Sequence, residues 1–197
     1  MKDADIRPVL DARLRRAYGD QPDTAIIHEF GIYCGIHRVD MAVVNGVLSG
    51  YEIKSEKDTL KRLPAQAQAY SMLFDKMTLV VSERHYEGAL AIVPAWWGIF
   101  RAEPGKTKVK LKEVRRGSTN KGVKPHALTA LIWRDQALGI LEERGAAKGL
   151  RSASRDKLWD ALVECLTLEE LQAETRTAVR RQRQWLQEHR PLPTGAG

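Results

Sequence analysis

Apolar residues recur along the first stretch at Ile6, Val9, Leu10, Leu14 and Tyr18, with charges between them. That spacing puts them on one face of a helix over residues 4–18. Gly19-Asp20-Gln21-Pro22-Asp23 stops it. The period then changes. Thr24 to Phe30 reads as a strand, with a turn near Gly31 to Gly35. Two β-branched runs follow over residues 37–54, on either side of Asn45-Gly46, a strong hairpin signal. Pro64 suits the first turn of a helix, so a helix is predicted from Leu63 through Phe74. Met77-Thr78-Leu79-Val80-Val81 has the uniform apolarity of a strand buried on both faces. A weak helix over Arg84–Ile92 ends at Pro94. A further strand pair is read at Trp96–Phe100 and Val109–Val114, around Pro104-Gly105.

A helix crossing from the hairpin to the Met77–Val81 strand requires parallel pairing there. The expected fold is therefore α/β, with a mixed central sheet flanked by helices. Residues 117–124, Gly117-Ser118-Thr119-Asn120-Lys121-Gly122 foremost, read as a linker after a core of residues 1–116. Beyond it the pattern is helical: one helix over 126–143, a short one over 155–166, and a last one to about Glu188, opened by the capping box Thr167-Leu168-Glu169-Glu170. Residues 125–190 form a basic helical region, and 191–197 are expected to be a disordered tail.

Composition narrows the class. In the 197 residues no apolar run reaches the roughly 18 needed to span a membrane, and Met1-Lys2-Asp3-Ala4-Asp5 carries no signal-like apolar stretch. Cys34 and Cys165 are far apart and suggest neither a disulfide framework nor a zinc site, so a cytoplasmic protein with reduced thiols is expected. The net charge of +7 is uneven: −1 over residues 1–100 and +8 over 101–197. That division suits a polyanionic partner, although excess Arg and Lys also simply solubilise helices.

The candidate chemistry sits in the hairpin. Asp40 on the first strand and Glu52-Ile53-Lys54 on the second are brought together by the turn. Charges on half-buried strands are costly unless something uses them. Mg²⁺ (or Mn²⁺) takes oxygen ligands, and Asp40 and Glu52 offer two carboxylates. Lys54 would hold an attacking water or stabilise charge on a phosphorane. Parity imposes a condition. A plain two-residue loop at Asn45-Gly46 would set Asp40 against Tyr51 and turn Glu52 to the other face. One extra residue restores the geometry, either as a β-bulge at Gly50 or Ser49-Gly50, the favoured place, or as a three-residue loop.

This arrangement resembles the PD-(D/E)XK nuclease superfamily over roughly residues 5–82. Asp40 matches its second-strand acid, and Glu52 and Lys54 its acid-x-Lys; Val39 stands where a proline is usual. Gln66 and Tyr70 fit the Gln-x-x-x-Tyr pattern of its RecB-like branch and share one helical face. The resemblance implies a restriction-endonuclease-like core and a Mg-dependent deoxyribonuclease with Asp40, Glu52, Lys54, Glu29, Gln66 and Tyr70 in the site. It also implies metal ligation by Asp40, Glu52, the Ile53 carbonyl and Glu29, with Glu29 carried over from the first strand instead of the first helix.

DNA is the expected substrate, and cutting both of its strands would call for a homodimer. Lys57, Lys61 and Arg62 are candidate phosphate contacts, as are Arg144, Lys148, Arg151, Arg155, Lys157, Arg176, Arg180, Arg181, Arg183 and Arg190. His28 and His37 lack metal-ligand spacing and are read as structural or exposed. Two alternatives stay open: a non-cleaving nucleic-acid-binding or regulatory protein on the same fold, and a partner-binding protein of a phage or defence system.

Overall fold

The computed structural model describes residues 1–189, apart from the side chain of Cys34. Arg190 and the predicted tail at 191–197 lie outside the described residues. Helix α1 (Asp3–Tyr18) has Asp3 and Asp5 in its first turn and Arg15 and Arg16 in its last, each sign facing the opposite end of the helix dipole. Six strands follow: β1 (Ala25–Ile32), β2 (His37–Val44), β3 (Leu48–Lys54), β4 (Lys76–Ser82), β5 (Gly98–Glu103) and β6 (Lys110–Arg115). They form one sheet in chain order. β1, β2 and β3 are antiparallel neighbours, β3–β4–β5 are parallel, and β6 returns antiparallel. The parallel steps need crossovers, supplied by α2 (Leu63–Ser71) and α3 (Tyr86–Leu90). The sheet is therefore mixed, as the helix after the hairpin requires.

One face of the sheet packs on α1, where Ile6, Leu10 and Leu14 meet Met41, Val43, Tyr51, Ile53 and Val80. The other face carries the larger core. It runs from Ala42 and Val44 through Tyr70, Phe74 and Trp97 to Leu141, Leu158, Leu171 and Val179. The C-terminal helices thus share one apolar core with the sheet. Residues 117–124 are pinned between them. The Asn120 side chain donates to the Ser71 and Phe74 carbonyls at 2.7 and 2.9 Å, satisfying acceptors that the end of α2 leaves open.

Several elements differ from the sequence expectation. The hairpin loop has three residues: Leu48 pairs with Val44 and Tyr51 with Met41, with no bulge at Gly50. Asn45 closes the loop, its side-chain oxygen accepting from the Val47 N–H at 2.9 Å. Gly50 serves close packing instead: a Cβ there would run into the Met77 sulfur and lie 3.1 Å from the Phe74 ring. The helix expected through Phe74 stops at Ser71. Trp96 and Trp97 precede β5 in a turn, where the Trp97 N–H bonds the Pro94 carbonyl, and Trp97 is fully buried. The single helix expected over 126–143 is two, α4 (Pro125–Thr129) and α5 (Arg134–Glu143), because Trp133 takes an extended backbone and caps the second. Helices α6 (Arg155–Cys165) and α7 (Leu168–Glu188) follow, the latter with the anticipated Thr167–Glu170 capping box.

Candidate functional site

The three-residue loop meets the parity condition. With Met41 opposite Tyr51, the next residues outward are Asp40 and Glu52; Glu52 turns toward α2, where it meets Gln66 and Tyr70, and Asp40 is reached by Arg7 of α1. Lys54, two residues on, shares that face. The regular ladder ends before this pair. The Asp40 carboxylate takes over its role, with Oδ2 accepting from the Ile53 N–H at 2.7 Å.

The irregularity lies on the other flank of Asp40. His28 pairs with Met41 and Phe30 with Val39, but Glu29 and Asp40 between them leave the ladder. Ile27 and Phe30, an odd number of residues apart, nevertheless face the same core, as do Val39 and Ala42. A regular strand would place each pair on opposite faces. The switch is made by Glu29, whose φ of +52° is left-handed. An L-residue carries that strain at roughly 1 kcal/mol. Tyr33, nearby, has φ +49°.

Around Glu52 the polar groups close ranks. Glu52 and Lys54 are 3% and 4% exposed. The Lys54 Nζ lies 2.5 Å from Glu52 Oε1, which also accepts from Gln66 Nε2 at 2.7 Å. The Tyr70 hydroxyl stands 3.1 Å from Glu52 Oε2 and 2.8 Å from the Arg38 carbonyl, and accepts from Gln66 Nε2 at 3.2 Å. Its one proton serves either oxygen in turn. Gln66 and Tyr70, four apart on one face of α2, both meet Glu52.

Arg7, which sequence analysis passes over, completes the cluster from α1. Its Nε lies 2.8 Å from Asp3 Oδ1, its Nη1 2.8 Å from Glu29 Oε1 and its Nη2 2.7 Å from Asp40 Oδ1. Nη1 also donates to the Asp40 carbonyl at 3.2 Å. The fork of the guanidinium allows these directions at once, which an ammonium does not. Asp3 and Arg7 are four apart on a helix, so that pair is visible in the sequence. The reach to β1 and β2 is not.

Charge and burial set the protonation. Burial pushes the Glu52 carboxyl up to about 7, with Lys54 pulling the other way. Asp40 is raised by burial as well, partly offset by the Ile53 N–H and Arg7. Burial works to lower Arg7, but its bonds and charge contacts with Asp3 and Asp40 outweigh it and hold the guanidinium firmly charged. Burial and the adjacent Glu52 raise Tyr70. Glu29, Asp40, Glu52, Lys54 and Gln66 line a cleft of about 540 Å³, together with Arg38, Arg62 and the 77%-exposed Ile36. Of the other sequence candidates, His28 pairs with Asp11 at 2.8 Å, away from the cleft, and His37 lines it.

The carboxylate oxygens are engaged by protein donors. Both Asp40 oxygens and both Glu52 oxygens lie within hydrogen-bond distance of protein donors. Among the described residues, no group of three or more His, Cys, Asp or Glu side chains is placed to hold a metal ion.

The bacteriophage P4 protein cII family matches residues 7–190. The chain belongs to that family. Protein cII of Enterobacteria phage P4 is 25% identical over 123 residues, covering 62% of this chain and 47% of the phage protein. The chain thus spans about half the length of that curated relative. A solved structure of a protein of unknown function from Silicibacter pomeroyi aligns with a TM-score of 0.41 and 21% identity, over 73% of this chain and 92% of that one.

Membership in the protein cII family corrects the resemblance to the PD-(D/E)XK superfamily. The nuclease and metal-binding descriptions that came with the resemblance lose their support, since the match is to the cII family and the carboxylates are not arranged as a metal group. No described helix is long and apolar enough to cross a membrane.

Proposed function

We propose that this chain is a nucleic-acid-binding protein with a regulatory role that does not cut its partner. One observation carries the reading. The Asp40 and Glu52 carboxylates are engaged from within, Asp40 by Arg7 and the Ile53 N–H, Glu52 by Lys54, Gln66 and Tyr70. Arg7 is shared with Asp3 and Glu29, and burial raises Glu52 against the pull of Lys54, so the acids are held by hydrogen bonds as much as by charge. The cluster then serves as a polar clamp that ties α1, β1, β2, β3 and α2 together around the cleft. Binding draws on the positive charge, which stands at +8 over residues 101–197. Such a charge excess attracts a phosphate backbone without reading its sequence. A protein of this kind acts by occupying nucleic acid.

The test is incubation of the full chain with labelled duplex and single-stranded DNA in Mg²⁺, Mn²⁺ or EDTA. The expected result is salt-sensitive binding with intact DNA under all three conditions. Metal-dependent cleavage that vanishes in Asp40→Ala and Lys54→Ala would overturn the non-cleaving reading. A failure to bind either form of DNA would overturn the binding reading.

A further inference from the structure

Most of the basic residues on the C-terminal helices are already occupied. Arg144 is paired with Glu170 at 2.8 Å, Arg176 approaches Asp75 at 3.6 Å, and Arg155 lies over the Trp159 ring. Arg180 is tied to the Asn45 carbonyl and the Thr177 hydroxyl at 3.2 and 3.3 Å. Arg181 and Arg183 are among the rest, and both line a cleft of about 520 Å³ between α7 and the start of β1. Arg15, Arg180, Arg181 and Arg183 line it, against a single acid, Asp23. The charge of Arg15 is already met by Asp11 at 2.6 Å.

Two residues lining this cleft each carry a buried polar atom with no hydrogen-bond partner among the described residues, the Thr24 hydroxyl and the Arg183 Nε. A buried donor left unbonded costs about 1–3 kcal/mol, so its persistence calls for something that satisfies it. The two share a chemistry, since each donates to an oxygen. Arg183 adds a full positive charge, and Arg181 is exposed on the rim.

We propose that this cleft holds a backbone phosphate of the bound nucleic acid, with Thr24 and Arg183 as its inner donors and Arg181 at its edge. The inference rests on the nucleic-acid-binding reading and adds to it the surface that does the binding. Arg183 lines the cleft, and a guanidinium carries a fork that matches two phosphate oxygens, with the Thr24 hydroxyl on the same wall. The larger groove between α1 and the β5–β6 turn is also basic, with Arg16, Lys106 and Lys108, but among the described residues no partnerless buried donor lines it. It serves as the control.

The experiment is fluorescence anisotropy with a fluorescein-labelled DNA duplex of about 20 base pairs, titrated over a series of salt concentrations. Wild type should bind with an affinity that falls steeply with salt. Arg181→Gln and Arg183→Gln should each weaken binding by roughly tenfold at fixed salt and lower the slope of log K against log salt by about 1. Thr24→Val should weaken binding several-fold and leave the slope unchanged, because it removes a hydrogen bond and no charge. The control pair Lys106→Gln/Lys108→Gln should move affinity less than twofold. Circular dichroism melts confirm that each variant is folded, and Arg181, being exposed, keeps the test valid if Arg183→Gln unfolds. If wild type binds and the arginine variants match it, or the control pair falls as far as they do, the cleft assignment is overturned and the binding reading stands. If wild type does not bind, both fall.

Discussion

Replacing Glu52 by glutamine should remove a pH dependence that the folded protein carries in the range from about 4.5 to 7. Burial displaces this carboxyl from its ordinary value of 4.5 up to about 7. The folded state therefore keeps a proton that the unfolded chain has lost over that interval. Its contribution to stability is complete below pH 4.5 and disappears as pH rises through 7. The displacement corresponds to roughly 3 kcal/mol. The glutamine amide resembles the protonated carboxyl in shape and charge and does not titrate.

The assay is urea unfolding of both proteins at half-unit steps from pH 4.5 to 7.5. The wild-type minus Glu52→Gln difference cancels what most other groups contribute. Asp11, Glu56 and Glu170 are held below their ordinary values by their partners, so the stability they add is lost only at lower pH. Wild type should lose roughly 3 kcal/mol relative to the variant across the interval. A flat difference, or one that rises with pH, would refute the claim that burial outweighs Lys54 at this site.

Three further outcomes follow from the same geometry. Arg7→Ala strips the shared cation from Asp3, Glu29 and Asp40 and should destabilise by about 2–4 kcal/mol in denaturant titrations; Arg7→Lys should recover only part of this, lacking the fork. Tyr70→Phe deletes the hydroxyl beside Glu52 and the Arg38 carbonyl and should cost about 1–2 kcal/mol. It should also shift the Glu52-linked pH profile upward, because that bond favours the charged carboxylate. Gly50→Ala forces a methyl toward Met77 and Phe74 and should lower stability by about 1–3 kcal/mol with unchanged secondary structure by circular dichroism.

The sequence by itself determined the order of elements, the Asn45-Gly46 hairpin, the parallel step into β4 and the meeting of Asp40 with Glu52 and Lys54. Local rules suffice for these, because a hairpin loop, a proline at a helix start and a two-residue period act within a few positions. Even the condition on register could be stated in advance, and the structure chose the three-residue loop over a bulge at Gly50. Gly50 was legible as special, but its reason, the closeness of Met77 and Phe74, lies in another element.

What only the tertiary structure decided is the character of the site. An acid with an acid-x-Lys reads as a place for a cation. That reading omits Arg7, which stands 33 residues before Asp40 and reaches it only because α1 crosses that end of the sheet. The left-handed turn at Glu29 was equally hidden, since nothing in a glutamate announces a positive φ. The split of residues 126–143 into two helices follows from an extended Trp133, whose indole packs against Trp185 from the last helix. In each case the deciding partner comes from a distant segment. Periodicity tells which face of an element is buried, whereas the charge that arrives to neutralise a buried acid depends on how whole elements pack.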